Sequence, residues 1–284
     1  MLRGINVPER KNADKVRTAV AKHYRKIAKE GKSCCDITSE DSEIVKIYTP
    51  EDLAVLPGDA KNSSCACGNP VAIAELKPGQ VVLDMGSGAG LDVFLAAKKV
   101  GPDGRVMGVD ALPEMLAKAN KYAKRMGFSN IEFRKGDIEN LPVDPDSVDV
   151  IISNCVINLV TDKDRVFREA YRVLRPGGKL AISDRVLLED LPEKAEGDLE
   201  LWSACVSGAL KEKEYISKIK SAGFVKVKVT DRRTYSEKEA RSFIKEAAKE
   251  RKKKTKLDEE TAVKAFLAVA NDRIVAFKPV ARQY

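Results

Sequence analysis

Between residues 80 and 184 the chain repeats one pattern: a short, continuous apolar run, a turn bearing glycine or aspartate, then a segment with apolar residues at helical spacing. "QVVLDM" (80–85) breaks into "GSGAG", and "LDVFLAAKKV" follows with helical periodicity until Gly101 and Pro102 stop it. "GRVMGVD" (104–110), "IEFRKGD" (131–137), "VDVIISN" (148–154) and "GGKLAISD" (177–184) read as four more strands. The helices expected among them are "LPEMLAKANKYAKRMG", ended by Gly127, and "DRVFREAYRVL", followed by the turn "RPGG". Such alternation means parallel strands joined by right-handed helical crossovers, an α/β fold. Beyond Asp190 the pattern changes. Helices are expected around "DLELWSACVSGAL" and "EKEYISKIKSAG", and "FVKVKVTD" and "RIVAFKP" are placed to add two last strands.

Charge and cysteine usage narrow the partners. The net charge of +8 arises from 51 basic against 43 acidic residues, and the excess gathers in the first thirty positions and in "KEAAKERKKKTK" (245–256). Aromatic residues are only 6% and none interleave with that lysine run, so base-stacking platforms are missing and no nucleic-acid partner is expected. No apolar run approaches the roughly 20 residues that span a bilayer, so no membrane partner is expected. The six cysteines are scattered, and the chain starts without a charged-then-apolar leader, which predicts a cytoplasmic protein.

In "LDMGSGAG" the spacing of Gly86, Gly88 and Gly90 allows a sharp turn, contact of a ligand with bare backbone, and close packing of helix on strand. A glycine loop alone is weak evidence. Asp84 precedes the glycines, and Asp110 ends the second strand 20 residues after Gly90, where a carboxylate reaches the two hydroxyls of a ribose. Asp137, with Ile138 beside it in "GDIENLP", stands at the end of the third strand in position to meet adenine. An adenosine-bearing ligand is implied. The loop is one residue shorter than the dinucleotide pattern and leaves less provision for a pyrophosphate.

Taken together, "LDMGSGAG", Asp110, "GDIENLP" and "LRPGG" resemble S-adenosylmethionine-dependent methyltransferases of the seven-stranded Rossmann-like type, over about residues 70 to 190. The resemblance implies S-adenosyl-L-methionine as cofactor, with Gly86 and Gly88 near its methionine part and Asp84 near its ammonium group. It further implies Asp110 on the ribose and Asp137 with Ile138 at the adenine. The cofactor-binding set expected from it also includes Ser87, Gly90, Ala111, Met115 and Asn154.

The acceptor of the methyl must then be found among the other residues. The single histidine, His23, lies in a basic helical stretch and reads as a surface residue, which leaves little imidazole chemistry. Cys155 follows the fourth strand, whose carboxyl end faces the ligand crevice. Cys205 is expected on a helix whose Leu199, Trp202, Val206 and Ala209 form an apolar stripe, with Leu201 and Cys205 along its border. Cys67 sits in the turn-rich "SSCACGNP". Each could be a small buried hydrophobe. Three thiolates from distant segments instead suit a soft three-coordinate centre, whereas zinc usually takes four ligands in CxxC knuckles, and none occurs here. Trivalent arsenic, pyramidal and thiophilic, fits three cysteines without histidine.

The wider sequence is similar to arsenite methyltransferases: "CGNP" followed by "LKPG", "SNCVINL" with "VFREAYRVLRPGGKLAISD", and "CVSGAL" followed by "AGF" match that family over about residues 15 to 230. This resemblance implies that Cys67, Cys155 and Cys205 bind As(III). It also implies that Cys34 or Cys35, in "KSCCD", closes a disulfide with Cys67 during turnover. Arsenite or its thiol conjugates would be the substrate, and a thioredoxin-like or glutathione reductant would reopen the disulfide. Cys65 departs from the pattern as an extra thiol beside Cys67, and Cys34 and Cys35 could be inert surface thiols. Two other activities are compatible with the central segment: methylation of a small organic or lipid substrate such as a quinone precursor, and metalloid binding without catalysis. The expected organisation is an N-terminal helical cap (1–69) carrying the redox and first substrate cysteines, a cofactor-binding sheet domain (70–190), and a C-terminal region (191–284) that binds substrate and completes the sheet.

Overall fold

A computed structural model describes residues 7–30, 47–56, 66–250 and 257–280. Its frame is a seven-stranded sheet in the order β3-β2-β1-β4-β5-β7-β6. The first five strands are β1 (Val81–Met85), β2 (Arg105–Asp110), β3 (Ile131–Lys135), β4 (Val148–Asn154) and β5 (Leu174–Leu187), all parallel. β7 (Val269–Phe277) inserts antiparallel between β5 and the edge strand β6 (Val225–Arg233). The two late strands expected from "FVKVKVTD" and "RIVAFKP" are thus both in the sheet.

Local chemistry explains where the helices begin and end. α1 (Val7–Glu30), α2 (Pro50–Val55) and α3 (Pro70–Ala74) precede the sheet; Thr49 and Asn69 cap the last two, each with proline at the first helical turn. α4 (Leu91–Val100) is almost wholly buried, and α5 (Pro113–Met126) stops where Gly127 turns left-handed. α6 (Lys163–Val173) is capped by the Asp162 carboxylate, which accepts from Arg165 N–H. α4 and α5 pack on one face of the sheet and α6 with α8 (Glu212–Ser221) on the other, giving a core on each side. α1 lies over α5 and the short helix α7 (Leu199–Ser203). The remaining helices, α9 (Glu237–Glu250) and α10 (Glu259–Leu267), pack against each other ahead of β7. Among the described residues no helix is long and apolar enough to cross a membrane.

Two local expectations need correction. β5 begins at Leu174, so "RPGG" is an irregularity inside the β4–β5 ladder and not a turn ahead of the strand. The helix expected over "DLELWSACVSGAL" is only five residues, Leu199–Ser203, and Cys205 lies beyond it. Asp198 starts this helix by accepting from Glu200 and Leu201 N–H. Its end folds back, with Cys205 N–H bonded to Trp202 O (2.9 Å) and Val206 N–H to Leu201 O (2.8 Å). These two bonds make a Schellman turn, and Cys205 fills its left-handed position at φ 58°. Glycine usually marks that position. Without it, the apolar spacing reads as a continuing helix. Leu199, expected on the buried stripe, is 37% exposed.

Candidate active site

Strand order reverses between β1 and β4, and the carboxyl ends of these strands open the crevice in which such sheets bind ligands. The loop after β1 is pinned to β2 by Gly86 and Ser87 N–H groups donating to Val109 O (2.8 and 3.0 Å). Its three glycines all have positive φ but serve different ends. A Cβ on Gly86 would meet Val156 at 2.4 Å, and one on Gly90 would meet Phe94 at 2.9 Å. Gly88 faces open space, so its backbone is the part of the loop a ligand can approach. Gly88 N–H donates to Asp110 Oδ2 (2.9 Å) and Leu112 N–H to Asp110 Oδ1 (2.8 Å), which fixes the carboxylate at the loop's rim.

A cavity of about 210 Å³ starts at this loop. Asp110, Ala111 and Met115 form one wall, Asp137 and Ile138 another, and α1 covers it with Val16, Arg17 and Tyr24. Arg17 donates to Glu139 Oε2 (2.7 Å) and so ties the cover to the loop after β3. The site is suited to a cationic, adenosine-bearing group. Asp84 and Asp92 are buried, and burial, reinforced by neighbouring Asp92 and Asp110, pushes the Asp84 carboxyl well above the usual carboxylate range. Burial raises Asp92 to about 6, against hydrogen bonds from Asn154 and Tyr48 that favour its ionised form. Ser87 Oγ is buried with no partner among the described residues. Ser87 Oγ and the bare Gly88 backbone are thus the parts of the loop left open to a ligand, with Asp84 and Asp92 buried behind them rather than in the cavity lining.

The cysteines expected to act together do converge. Cys67 and Cys155 are joined as a disulfide with Cα atoms 5.6 Å apart, across a sequence separation of 88. Cys205 Sγ donates to the Cys155 carbonyl (3.1 Å), and the three residues form a buried cluster with Leu159 against it. Cys155 also lines the cavity, so it is shared between the thiol cluster and the ligand crevice. Like Cys205, Cys155 holds a left-handed backbone (φ 56°), a conformation that costs a β-carbon residue about 1–2 kcal/mol. Such outliers concentrate at functional sites. Among the described residues no group of three or more His, Cys, Asp or Glu could hold a metal ion, Cys67 and Cys155 being joined in the disulfide. Cys34, Cys35 and Cys65 lie outside the described residues, and with them the expected partner of Cys67 during turnover.

Several residues around the cluster carry no sequence signal. Tyr48 donates to Asp92 Oδ1 (2.9 Å). Lys163, whose place at a helix start suggests a solvated side chain, is 5% exposed; its ammonium donates to Val160 O (2.9 Å) and lies 5.7 Å from the Trp202 ring centroid. Burial lowers this ammonium to about 8, while Asp184 and Cys205 pull it back up. Asp184 is fully buried and accepts from Asn158 Nδ2, Arg185 N–H and Tyr215 OH. Burial raises Asp184 from 3.8 to about 6, so its folded form binds a proton more tightly than its unfolded form. Its contribution to stability is complete below about pH 3.8 and is lost as pH rises through about 6. The shift sets an upper limit of about 3 kcal/mol. Asp184→Asn is therefore expected to flatten the fall in urea midpoint between about pH 4 and 6; an unchanged slope would refute this.

A sequence profile described as "Methyltransferase domain" matches residues 76–259. The chain is 41% identical over 234 residues to the arsenite methyltransferase of Halobacterium salinarum, covering 77% of this chain and 60% of that protein. It is 40% identical over 185 residues to the arsenite methyltransferase of Aquipseudomonas alcaligenes, covering 63% and 51%. The chain thus spans about half to three fifths of the length of these curated relatives. Among solved structures, it superimposes on CrArsM, an arsenic (III) S-adenosylmethionine methyltransferase from Chlamydomonas reinhardtii. The TM-score is 0.65 at 31% identity, covering 84% of this chain and 76% of the other. A seven-stranded sheet with this glycine loop, a profile match over most of the chain and these relatives agree: the chain belongs to the methyltransferase domain family and, within it, to the arsenite methyltransferases.

Proposed function

We propose that this protein methylates trivalent arsenic with S-adenosylmethionine, holding As(III) on the reduced thiolates of Cys67, Cys155 and Cys205. The observation that carries this reading is the meeting of three cysteines from remote segments in one buried cluster, of which Cys155 lines the cavity that begins at the glycine loop. Asp84 and Asp92 would receive the cofactor's ammonium, Asp110 its ribose, and Ile138 with Asp137 its adenine. S-adenosylmethionine, when bound, supplies a methyl on a sulfonium, so no side chain need activate the leaving group. The task left to the protein is alignment.

Three thiolates exchange for the hydroxyls or thiols on incoming arsenite and leave the arsenic lone pair free of protein ligands. Lys163, buried beside Trp202 and electrostatically linked to Cys205, offsets the negative charge that these thiolates gather. Methylated arsenic is formally pentavalent. Closure of two thiolates to a disulfide returns two electrons to it, and a thioredoxin-like or glutathione reductant reopens that bond. Cys34 or Cys35 is assigned the resolving role for Cys67.

Trp202 provides the test. It is the only tryptophan, and its carbonyl accepts the Cys205 N–H. Arsenite added to reduced protein is expected to change its emission saturably, and the change is expected to disappear in Cys205→Ser. Arsenic speciation after addition of S-adenosylmethionine then separates catalysis from binding alone. Full activity of a Cys67→Ser/Cys155→Ser/Cys205→Ser variant on an organic acceptor, with none on arsenite in the parent, would move the assignment to a small-molecule methyltransferase.

A further inference from the structure

Nothing in the reduced protein holds Cys67 to Cys155 covalently, yet a three-thiol site needs the Cys67 segment in place before arsenic arrives. The described chain restarts at residue 66, and the next helix, α3, begins only at Pro70. Asn69 donates to Asp52 Oδ2 of α2 (3.2 Å), while Cys67 and Gly68 are seated against the ends of β4 and β5. Cys67 N–H donates to Asn154 Oδ1 (3.0 Å), and Asn154 Nδ2 donates to the Gly68 carbonyl (2.7 Å). The side-chain amide thus pairs with this piece of backbone as a neighbouring strand would. Nδ2 also faces Tyr48 OH and Asp92 Oδ2, each at 3.0 Å. The reverse amide orientation would set NH₂ against the Cys67 N–H and oxygen against the Gly68 carbonyl, so only one orientation is acceptable. On its other side Gly68 abuts β5: a Cβ there would meet Ser183 Oγ at 2.8 Å and Ser183 Cβ at 2.9 Å. Ser183 O in turn accepts the Cys155 N–H (2.8 Å).

We propose that Asn154, expected above among the cofactor-binding residues and lining the cavity, is a positioning residue for the thiols: its amide docks the Cys67–Gly68 backbone against Cys155 and thereby assembles the thiol site. Asn154 is adjacent to Cys155 in the chain, so one backbone step sets both the thiol and the clamp that brings its partner. The bare backbone of Gly68 lets the docked segment approach Ser183. Through Tyr48 and Asp92 the same amide connects the thiol cluster with the acidic end of the cofactor crevice. The consequence for arsenic rests on the function proposed above; the docking itself does not.

The test has two arms on the full chain. The first uses a Cys65→Ser background, which leaves Cys67 alone in its tryptic peptide, and measures the Cys67–Cys155 disulfide in glutathione redox buffers by alkylation and mass spectrometry. Asn154→Ala removes two backbone hydrogen bonds and is expected to shift this equilibrium about tenfold toward the dithiol. Gly68→Ala, which pushes the segment off Ser183, is expected to shift it the same way and decides the matter if Asn154→Ala does not fold. An equilibrium within twofold of the parent for the folded variants would overturn the proposal.

The second arm compares binding of arsenite, which takes three thiols, with binding of phenylarsine oxide, which takes two. Asn154→Ala is expected to weaken arsenite about tenfold while phenylarsine oxide, held by Cys155 and Cys205, changes less than threefold. Equal weakening of both would indicate general loosening and refute the docking role. If the parent binds no arsenite but the disulfide equilibrium still shifts, the proposed function fails and the docking stands.

Discussion

Cys205→Ser is expected to abolish methylation of arsenite, lowering kcat/KM by more than the roughly 100-fold that loss of a partner to a metal ligand typically costs. Serine keeps the shape but not the affinity for a thiophilic atom. Because Cys205 occupies the left-handed position of a Schellman turn, Cys205→Gly supplies a control that serine cannot. Glycine removes the thiol and also relieves about 1–2 kcal/mol of backbone strain, offsetting the lost side-chain packing. It is expected to fold with nearly parental stability while remaining inactive. Kinetics of both variants with arsenite, alongside urea unfolding, check this. Substantial turnover by Cys205→Gly would remove Cys205 from the substrate site.

Asp110→Ala is expected to weaken S-adenosylmethionine binding by about a hundredfold in calorimetry. Its carboxylate fixes the glycine loop through Gly88 N–H and the start of α5 through Leu112 N–H, and it presents the remaining lone pairs to the crevice. Charge-assisted hydrogen bonds contribute about 1.5–3 kcal/mol each, so loss of a ribose contact together with loss of loop order gives an effect of this size. Asp110→Asn retains one acceptor oxygen and is expected to fall between parent and alanine. The parent's gain in thermal stability on adding cofactor is expected to vanish in Asp110→Ala. An unchanged affinity would show that the ligand lies elsewhere in the cavity.

The central parallel strands were legible because they are short apolar runs with burial on both faces, such as Val82, Leu83 and Met85 in β1, all fully buried, whereas the edge strand β3, "IEFRK", has no buried residue and was read from its place in the alternation. The glycine loop was legible for a related reason: residues 86, 88 and 90 need positive φ, which glycine alone adopts freely. The end of α7 was not, since a cysteine carries no marker for a left-handed turn. Lys163 was equally silent. A lysine in the first turn of a helix looks solvated until a partner such as Trp202 closes over it from 39 positions further along the chain. Asn154 was expected among the cofactor-binding residues and does line the cavity, but its contacts to Tyr48 and Gly68 were not legible because they span separations of 106 and 86 residues.

From the sequence alone came the α/β class, the number of strands, the glycine loop beside Asp110, and the three cysteines that form one cluster. Periodicity and backbone preference are local properties, written in adjacent residues and readable without a partner. Tertiary structure alone decided that Cys67 bonds to Cys155, that Cys205 reaches them from a turn, and that an asparagine amide holds the assembly. Those outcomes depend on the order in which strands lie side by side. That order brings residues 88 positions apart within one bond, a separation that local periodicity and backbone preference do not reach.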